Sequence, residues 1–331
     1  MPESTHNQDD LNVDLALRPS TWKEYVGQDK AKQNLAVIIE AARIRHEPID
    51  HLLFYGQAGL GKTTLAYLVA KEAGAALKVT SGPAIEKMGD LAAILINLDP
   101  GDVLFIDEAH RMNRLIEEML YPAMETRKLH LVVGKGPGAR AFSLDLPPFT
   151  IIAATTRVNL LSGPLRSRFG ATFRLDYYEL DDIKAIIERS AKLLGVKVMP
   201  EAVEVLGRAS RATPRVANRL LKRARDFALV RSKGVVTSDI AAQTLALLEV
   251  DHLGLEPSDR RLLSIVIEKF NGGPVGLSTL AAALNDDKGT VEEVYEPYLM
   301  SIGLLHRTPL GRMATPAAYR HLGIAPKDSL L

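Results

Sequence analysis

The stretch GQAGLGKTTLA, residues 56–66, holds glycines, a lysine and two threonines at the spacing G-x-x-x-x-G-K-T. Gly59 and Gly61 let the backbone turn tightly, so that successive N–H groups point into one cavity suited to phosphate. Lys62 would then reach the β- and γ-phosphates, and Thr63 would ligate magnesium, with Thr64 beside it in the first turn of the following helix. Hydrolysis also needs carboxylates for magnesium and for the attacking water, and DVLFIDEAH supplies them. Asp107 would organise magnesium and Glu108 would orient or deprotonate water. His110 reads as a helix-surface residue.

These groups need elements to hold them. The apolar run LLFY (52–55) reads as a buried strand entering the glycine loop, and KTTLAYLVAKEAG reads as a helix ending at Gly74. That helix presents its positive end to a phosphate. Val103 to Ile106 form a second apolar strand with Asp107 and Glu108 at its carboxyl end, where α/β sheets place ligands. A helix is predicted over EAHRMNRLIEEMLYPAME, and TIIAATT is a third apolar run. The expected first domain, residues 1–178, is therefore an α/β P-loop ATPase with a parallel sheet.

From Asp181 to about Val250 the pattern is wholly helical, which predicts a small all-α lid over 179–252. In TPRVANRLL, Thr213 is the expected N-cap and Pro214 the first helical residue, so Arg215 falls in the first turn. A cation there opposes the helix dipole unless an anion sits beside it, so Arg215 reads as a lid residue touching nucleotide phosphate. In GPLRSRFG, Arg166 and Arg168 each read as a surface charge or as an arginine finger, and spacing does not rank them. Residues 253–331 give three helices and a hairpin, GLLHRT-PLG-RMAT, the outline of a winged helix-turn-helix. The third helix is predicted to open on T-V-E-E, a capping box with Thr290 as N-cap.

Composition sets outer limits. A chain of 331 residues has room for two or three cores. The absence of cysteine excludes disulfides, thiolate metal sites and a cysteine nucleophile. No apolar run approaches the roughly 18 residues of a membrane span, which predicts no membrane association and a cytoplasmic address. A net charge of +1 leaves any nucleic-acid site to a local patch.

The chain resembles the RuvB family, bacterial AAA+ ATPases that drive branch migration of Holliday junctions. The resemblance rests on LRPSTWKEYVGQ, DHLLFYGQAGLGKTTLA, KVTSGPAIEKMGDLAAIL, GDVLFIDEAHRMN, GKGPGARA, ATTRVNLLSGPLRSRFG and RATPRVANRLLKR, and continues through GGPVGLSTLAAAL and VYEPYLMSIGLLHRTPLGRMAT. It spans roughly residues 15 to 322, and the segment around Arg168 together with the C-terminal strings is specific to this family. It implies an ATP-driven homohexameric ring around duplex DNA, loaded at a four-way junction by RuvA, with RuvC resolvase in a larger complex. It further implies that Thr156 is the first sensor of the γ-phosphate, Arg168 the arginine finger in trans and Arg215 the second sensor. Leu17, Arg18, Tyr25 and Tyr178 match positions around the base and ribose. The glycine-tipped segment LHLVVGKGPGARAFSLDL matches a hairpin that docks on RuvA in the family, and read alone it is an ordinary sheet-edge hairpin. Two prolines usual in the family's loop are Gln57 and Ala58 here, and Ala109 replaces a β-branched residue, which implies altered loop stiffness with activity retained.

For DNA, the helix in the recognition position carries Glu292, Glu293 and Glu296, which repel phosphate. Arg307 and Arg312 flank the wing turn and are the expected sequence-independent phosphate contacts. The cations between Arg208 and Arg225 are expected to form a solvated lid surface with subunit contacts. Three classes compete: a DNA-translocating motor, a clamp-loader-like switch, and a winged-helix regulator gated by an ATPase. A clamp loader usually carries a helical collar in place of the winged helix, and a regulator wants base-reading side chains where this chain has glutamates, so the expectation is the motor.

Overall fold

Three runs with no polar interruption, β1 (Leu52–Tyr55), β3 (Val103–Asp107) and β6 (Thr150–Thr155), lie side by side as parallel strands. They form the middle of a five-stranded sheet flanked by β2 (Leu77–Ser81) and β7 (Ala171–Arg174), in the order β2-β3-β6-β1-β7. Helices cover both faces of such a sheet, which is why its central strands read as continuous apolar runs, while no residue of the edge strand β2 is buried. Phe54 and Phe105 are fully buried, and truncating either to alanine would cost about 3–5 kcal/mol.

The computed structural model describes residues 16–133 and 140–325, and its two compact units meet in sequence between Asp182 and Ile183. In the first unit, α1 (Asp29–Arg45), α2 (Lys62–Glu72), α3 (Met88–Ile96), α4 (Arg114–Thr126) and the short α5 (Gly163–Arg166) alternate with the strands. The helix expected to run unbroken from Glu108 is instead split. Ala109–Arg111 form a 3-10 turn, Met112 is extended with its side chain in the core, and Asn113 caps α4 by accepting from the Leu115 amide at 3.1 Å. Outside the sheet, β4 (Lys128–Val133) and β5 (Arg140–Asp145) pair antiparallel from Lys128↔Asp145 to Val133↔Arg140. The glycine-rich tip of that hairpin, residues 134–139, lies outside the described residues.

The boundary falls within the first turn of α6 (Leu180–Leu193); the second unit continues with α7 (Pro200–Arg208), α8 (Pro214–Arg231) and α9 (Ser238–Leu247), and the lid is not wholly helical. Between the helices, β8 (Lys197–Val198) and β9 (Val235–Val236) make a short parallel pair. Next come α10 (Pro257–Phe270) and α11 (Leu277–Leu284), then a composite helix of α12 (Lys288–Thr290), a π turn (Val291–Tyr295) and α13 (Glu296–Ser301). The hairpin β10 (Leu305–Thr308) and β11 (Gly311–Ala314) precedes α14 (Pro316–Leu322), completing a winged helix. Thr290 is not the cap. It already has helical angles, φ −59° and ψ −46°, while extended Asp287 holds the N-cap position. Three cations of α8 are paired: Arg219 with Glu256, and Arg223 and Arg225 with Asp226. Just ahead of α8, Arg211 reaches buried Asp259 at 2.9 Å and stacks on Tyr298, tying the lid helices to the winged helix.

Candidate functional site

β1, β6 and β3 end at the same edge of the sheet, and their carboxyl ends deliver the loops that carry the chemistry. After β1, Gly61 caps α2 in the left-handed region with φ 92°, where a side chain would be strained. The opening amides of α2, those of Lys62, Thr63 and Thr64, precede the first residue able to bond back within the helix, so they are donors available to an anion. The buried Lys62 ammonium donates to the carbonyls of Gly56 and Gln57, each at 2.8 Å, which fixes it over the loop. Thr63 and Asp107 meet: Thr63 Oγ1 lies 3.3 Å from Asp107 Oδ2, and Asp107 Oδ1 accepts from the Glu108 amide at 2.9 Å.

Glu108 stands in an unusual backbone conformation, φ 48° and ψ 41°. Such a left-handed carboxylic residue is rare outside turns and costs about 1–3 kcal/mol unless its surroundings hold it. Gly82 is part of that hold: a Cβ at position 82 would stand 2.4 Å from the Glu108 carbonyl oxygen. The Glu108 carboxylate pairs with Arg111 at 2.9 Å.

The 3-10 turn after Glu108 turns His110 inward. His110 is half-buried and its Nδ1 shares a 2.9 Å hydrogen bond with Thr155 Oγ1, correcting its expected place on a helix surface. Thr155 also accepts from the Arg157 amide at 2.9 Å, so the residue between them, Thr156, is pinned from both sides at the end of β6. Sequence reasoning missed Gly82 and the His110–Thr155 link, because neither has a local pattern to betray it.

On the other side of the loop, Tyr25 and Tyr178 are buried with their hydroxyls 3.3 Å apart, and Tyr178 reaches the Leu60 carbonyl at 3.2 Å. A hydroxyl has one proton and a carbonyl can only accept, so Tyr178 donates to Leu60 and Tyr25 donates to Tyr178. Burial pushes the Tyr25 hydroxyl well above its ordinary pKa of 10.0 and that of Tyr178 up to about 12, so both stay protonated. Leu17 is buried and Arg18 exposed.

Arg168 follows α5. Its guanidinium stacks on Tyr121 at 4.4 Å, pairs with Glu125 at 3.0 Å and donates to the Pro164 carbonyl, whereas Arg166 is exposed. In the second unit, Arg215 lies exposed in the first turn of α8, whose cap is Thr213, as the sequence predicts. Around the wing the expectation needs correction. Arg307 is half exposed, but Arg312 is buried against Glu296 with 9% of its side chain accessible, so it is not available as a phosphate contact. Desolvating a guanidinium is tolerable only when it is paired, and the glutamate that fills that need, Glu296, is one of those expected to repel phosphate from the recognition helix.

Among the described residues no helix is long and apolar enough to cross a membrane. Three family models match consecutive segments: the Holliday junction DNA helicase RuvB P-loop domain over 17–175, the RuvB AAA lid domain over 178–251 and the RuvB C-terminal winged helix domain over 252–323. The Holliday junction branch migration complex subunit RuvB of Chloroflexus aurantiacus is 57% identical over 318 residues, 96% of this chain and 91% of that protein. Among solved structures, the Thermotoga maritima RuvB Holliday junction branch migration motor matches with a TM-score of 0.86 at 46% identity, covering 94% of this chain and 99% of that one. A point mutant of the same Thermotoga protein matches with a TM-score of 0.87 at 46% identity, over 93% and 98% of the two chains.

Proposed function

The chain belongs to the RuvB family, and from that premise we propose that it is an ATP-driven motor that pumps duplex DNA to move Holliday junctions during recombination and repair. The observation that carries this reading is the meeting of Thr63 with Asp107, beside Lys62 and Glu108, at the carboxyl edge of a P-loop sheet in a chain that continues into a winged helix. A clamp-loader-like switch is the weaker alternative because it would not need that last element. The domains we assign are 1–178 for the ATPase, 179–252 for the lid and 253–331 for the winged helix.

In this reading ATP lies against Leu17, Arg18, Tyr25 and Tyr178, its phosphates on the amides from Gly59 to Thr64. Lys62 neutralises charge on the β- and γ-phosphates. Glu108 leaves Arg111 and takes a proton from water as the water oxygen bonds to the γ-phosphorus and the bond to the β-phosphate oxygen breaks, releasing ADP and phosphate. Thr156 senses the γ-phosphate, Arg168 reaches a neighbouring subunit's nucleotide and Arg215 contacts phosphate from the lid. The hydroxyl of Thr63 and the carboxylate of Asp107 are hard oxygen donors of the kind magnesium takes, and these two residues would hold it. Magnesium, when bound, supplies charge neutralisation on the phosphates.

The partners are duplex arms of a Holliday junction, RuvA, RuvC in a larger complex and five further copies of the chain, in the cytoplasm. Phe142 and Leu144, exposed apolar residues on β5, support RuvA docking at the hairpin. Arg307 remains the DNA phosphate contact on the wing. The deciding experiment supplies a synthetic four-way junction, ATP, magnesium and the cognate RuvA, and follows branch migration. Separation of the junction into duplex products supports the motor; ATP turnover without junction movement would favour the switch.

A further inference from the structure

Helix α4 places Glu117, Tyr121 and Glu125 at successive intervals of four, so they form one line along the helix. Each meets the segment that presents Arg168. Buried Glu117 accepts from the Ser162 amide at 3.3 Å. The Tyr121 hydroxyl shares a 2.9 Å hydrogen bond with Ser162 Oγ, which caps α5 by accepting from the Leu165 amide at 3.3 Å. The same tyrosine's ring lies 4.4 Å from the centre of the Arg168 guanidinium, and Glu125 Oε1 is 3.0 Å from Nη2. Two contacts thus fix the turn and two fix the guanidinium plane. They leave the Arg168 side chain 20% accessible.

An arginine that must bridge to another molecule loses rotamer freedom on arrival unless it is already ordered. Here the ordering comes from α4, the helix that starts just after Glu108 and the 3-10 turn bearing Arg111, the salt-bridge partner of Glu108. One short stretch of chain therefore carries a subunit's own hydrolytic carboxylate at one end and the support of its outward arginine at the other. We propose that Glu117, Tyr121 and Glu125 are positioning residues that hold Arg168 ready for the neighbouring subunit's nucleotide. This rests on the trans reading of Arg168 given above.

The test uses the full-length protein with Tyr121→Leu, Tyr121→Phe and Glu125→Gln, beside Arg168→Ala as reference. Steady-state ATPase gives kcat and KM, a fluorescent ATP analogue gives binding, and melting gives Tm. Tyr121→Leu is expected to lower kcat about tenfold or more with nucleotide affinity within about twofold. Tyr121→Phe, which keeps the stacked ring, should recover part of that loss. Glu125→Gln changes an exposed carboxylate, so its severalfold loss of kcat should come without a change in Tm.

Mixing then separates positioning from folding. A Tyr121→Leu subunit has an intact nucleotide site and a loose arginine, whereas a Lys62→Ala subunit has the reverse. Assemblies shown by differential labelling to contain both should hydrolyse ATP faster than either variant does alone. If Arg168→Ala itself turns over ATP at the wild-type rate, the trans finger reading falls. If Arg168→Ala is inactive while Tyr121→Leu and Glu125→Gln keep the wild-type kcat, or if mixed assemblies recover nothing, the positioning role is overturned.

Discussion

Arg312 and Glu296 form a two-bond ion pair, Nε to Oε1 at 2.6 Å and Nη2 to Oε2 at 3.1 Å, with 9% and 2% of the two side chains accessible. Arg307 is the Cα partner of Arg312 across the wing hairpin, yet it is half exposed and lies 3.4 Å from Glu292. Two arginines in cross-strand register thus face two glutamates one helical turn apart, one pair sealed from water and the other wet. The two substitutions should separate cleanly. Arg312→Ala strands a buried carboxylate and should destabilise the winged helix by about 3–5 kcal/mol, read as a lowered Tm. Arg307→Ala should barely move Tm but should reduce the salt slope of duplex binding by about one. A folded Arg307→Ala protein with an unchanged slope would put the phosphate grip elsewhere.

At the nucleotide site, Lys62→Ala should abolish ATP binding or hydrolysis, because it removes the ammonium held over the Gly56 and Gln57 carbonyls of the glycine loop. Glu108→Gln should bind ATP and lose at least about a hundredfold in turnover, the usual weight of a general base. Single-turnover hydrolysis alongside analogue binding measures both. Wild-type turnover by Glu108→Gln would remove Glu108 from the mechanism.

Gly82→Ala tests the backbone behind that carboxylate. The added methyl would press on the Glu108 carbonyl at 2.4 Å and on the Met112 amide at 3.1 Å, so main chain must move. Turnover should fall by about an order of magnitude with ATP affinity nearly unchanged, and stability should drop by about 1–3 kcal/mol. Unaltered kcat in the variant would show that Glu108 tolerates a displaced turn.

His51 gives the first unit an acid-sensitive point. Its Nδ1 accepts from the Ile151 amide at 2.8 Å while Nε2 donates to the Met124 carbonyl at 3.3 Å, so the ring is held neutral, and burial lowers its pKa from the ordinary 6.5. Above that value neither the folded nor the unfolded chain binds the proton. As pH falls below 6.5 towards the depressed folded value, the unfolded chain takes up a proton that the folded chain refuses, and stability drops. This one group contributes at most about 1.4 kcal/mol per pH unit. Tm measured from pH 7.5 down to 5.5 should fall less steeply in His51→Gln than in the wild type, from a lower starting value. Parallel profiles would assign the acid sensitivity to other groups.

The sheet and the loop were legible because buried parallel strands must be apolar end to end, as in LLFY and VLFI, and because the glycine-lysine spacing has few other uses. The edge strands LKVTS and ATFR carry mixed sequences since one side of each is open, and periodicity does not mark them. T-V-E-E misled because a capping box is a local pattern, and Asp287 upstream had already started the helix. Arg312 misled for a different reason: whether a charge is wet depends on a partner 16 residues away, and nothing in the hairpin reveals Glu296. The left-handed Glu108 and the inward His110 are likewise set by what packs on them.

The hydroxyl of Tyr178 on the Leu60 carbonyl ties the nucleotide loop to the residue at which the matched lid segment begins. Four residues beyond it the first compact unit ends, a span of at most about 14 Å of extended chain. With Tyr178 and Tyr25 both protonated well past neutrality, ordinary changes in pH do not release the tie. The glycine loop and the last residues of the first unit are therefore held to each other through one phenol, whatever the pH of an ordinary buffer.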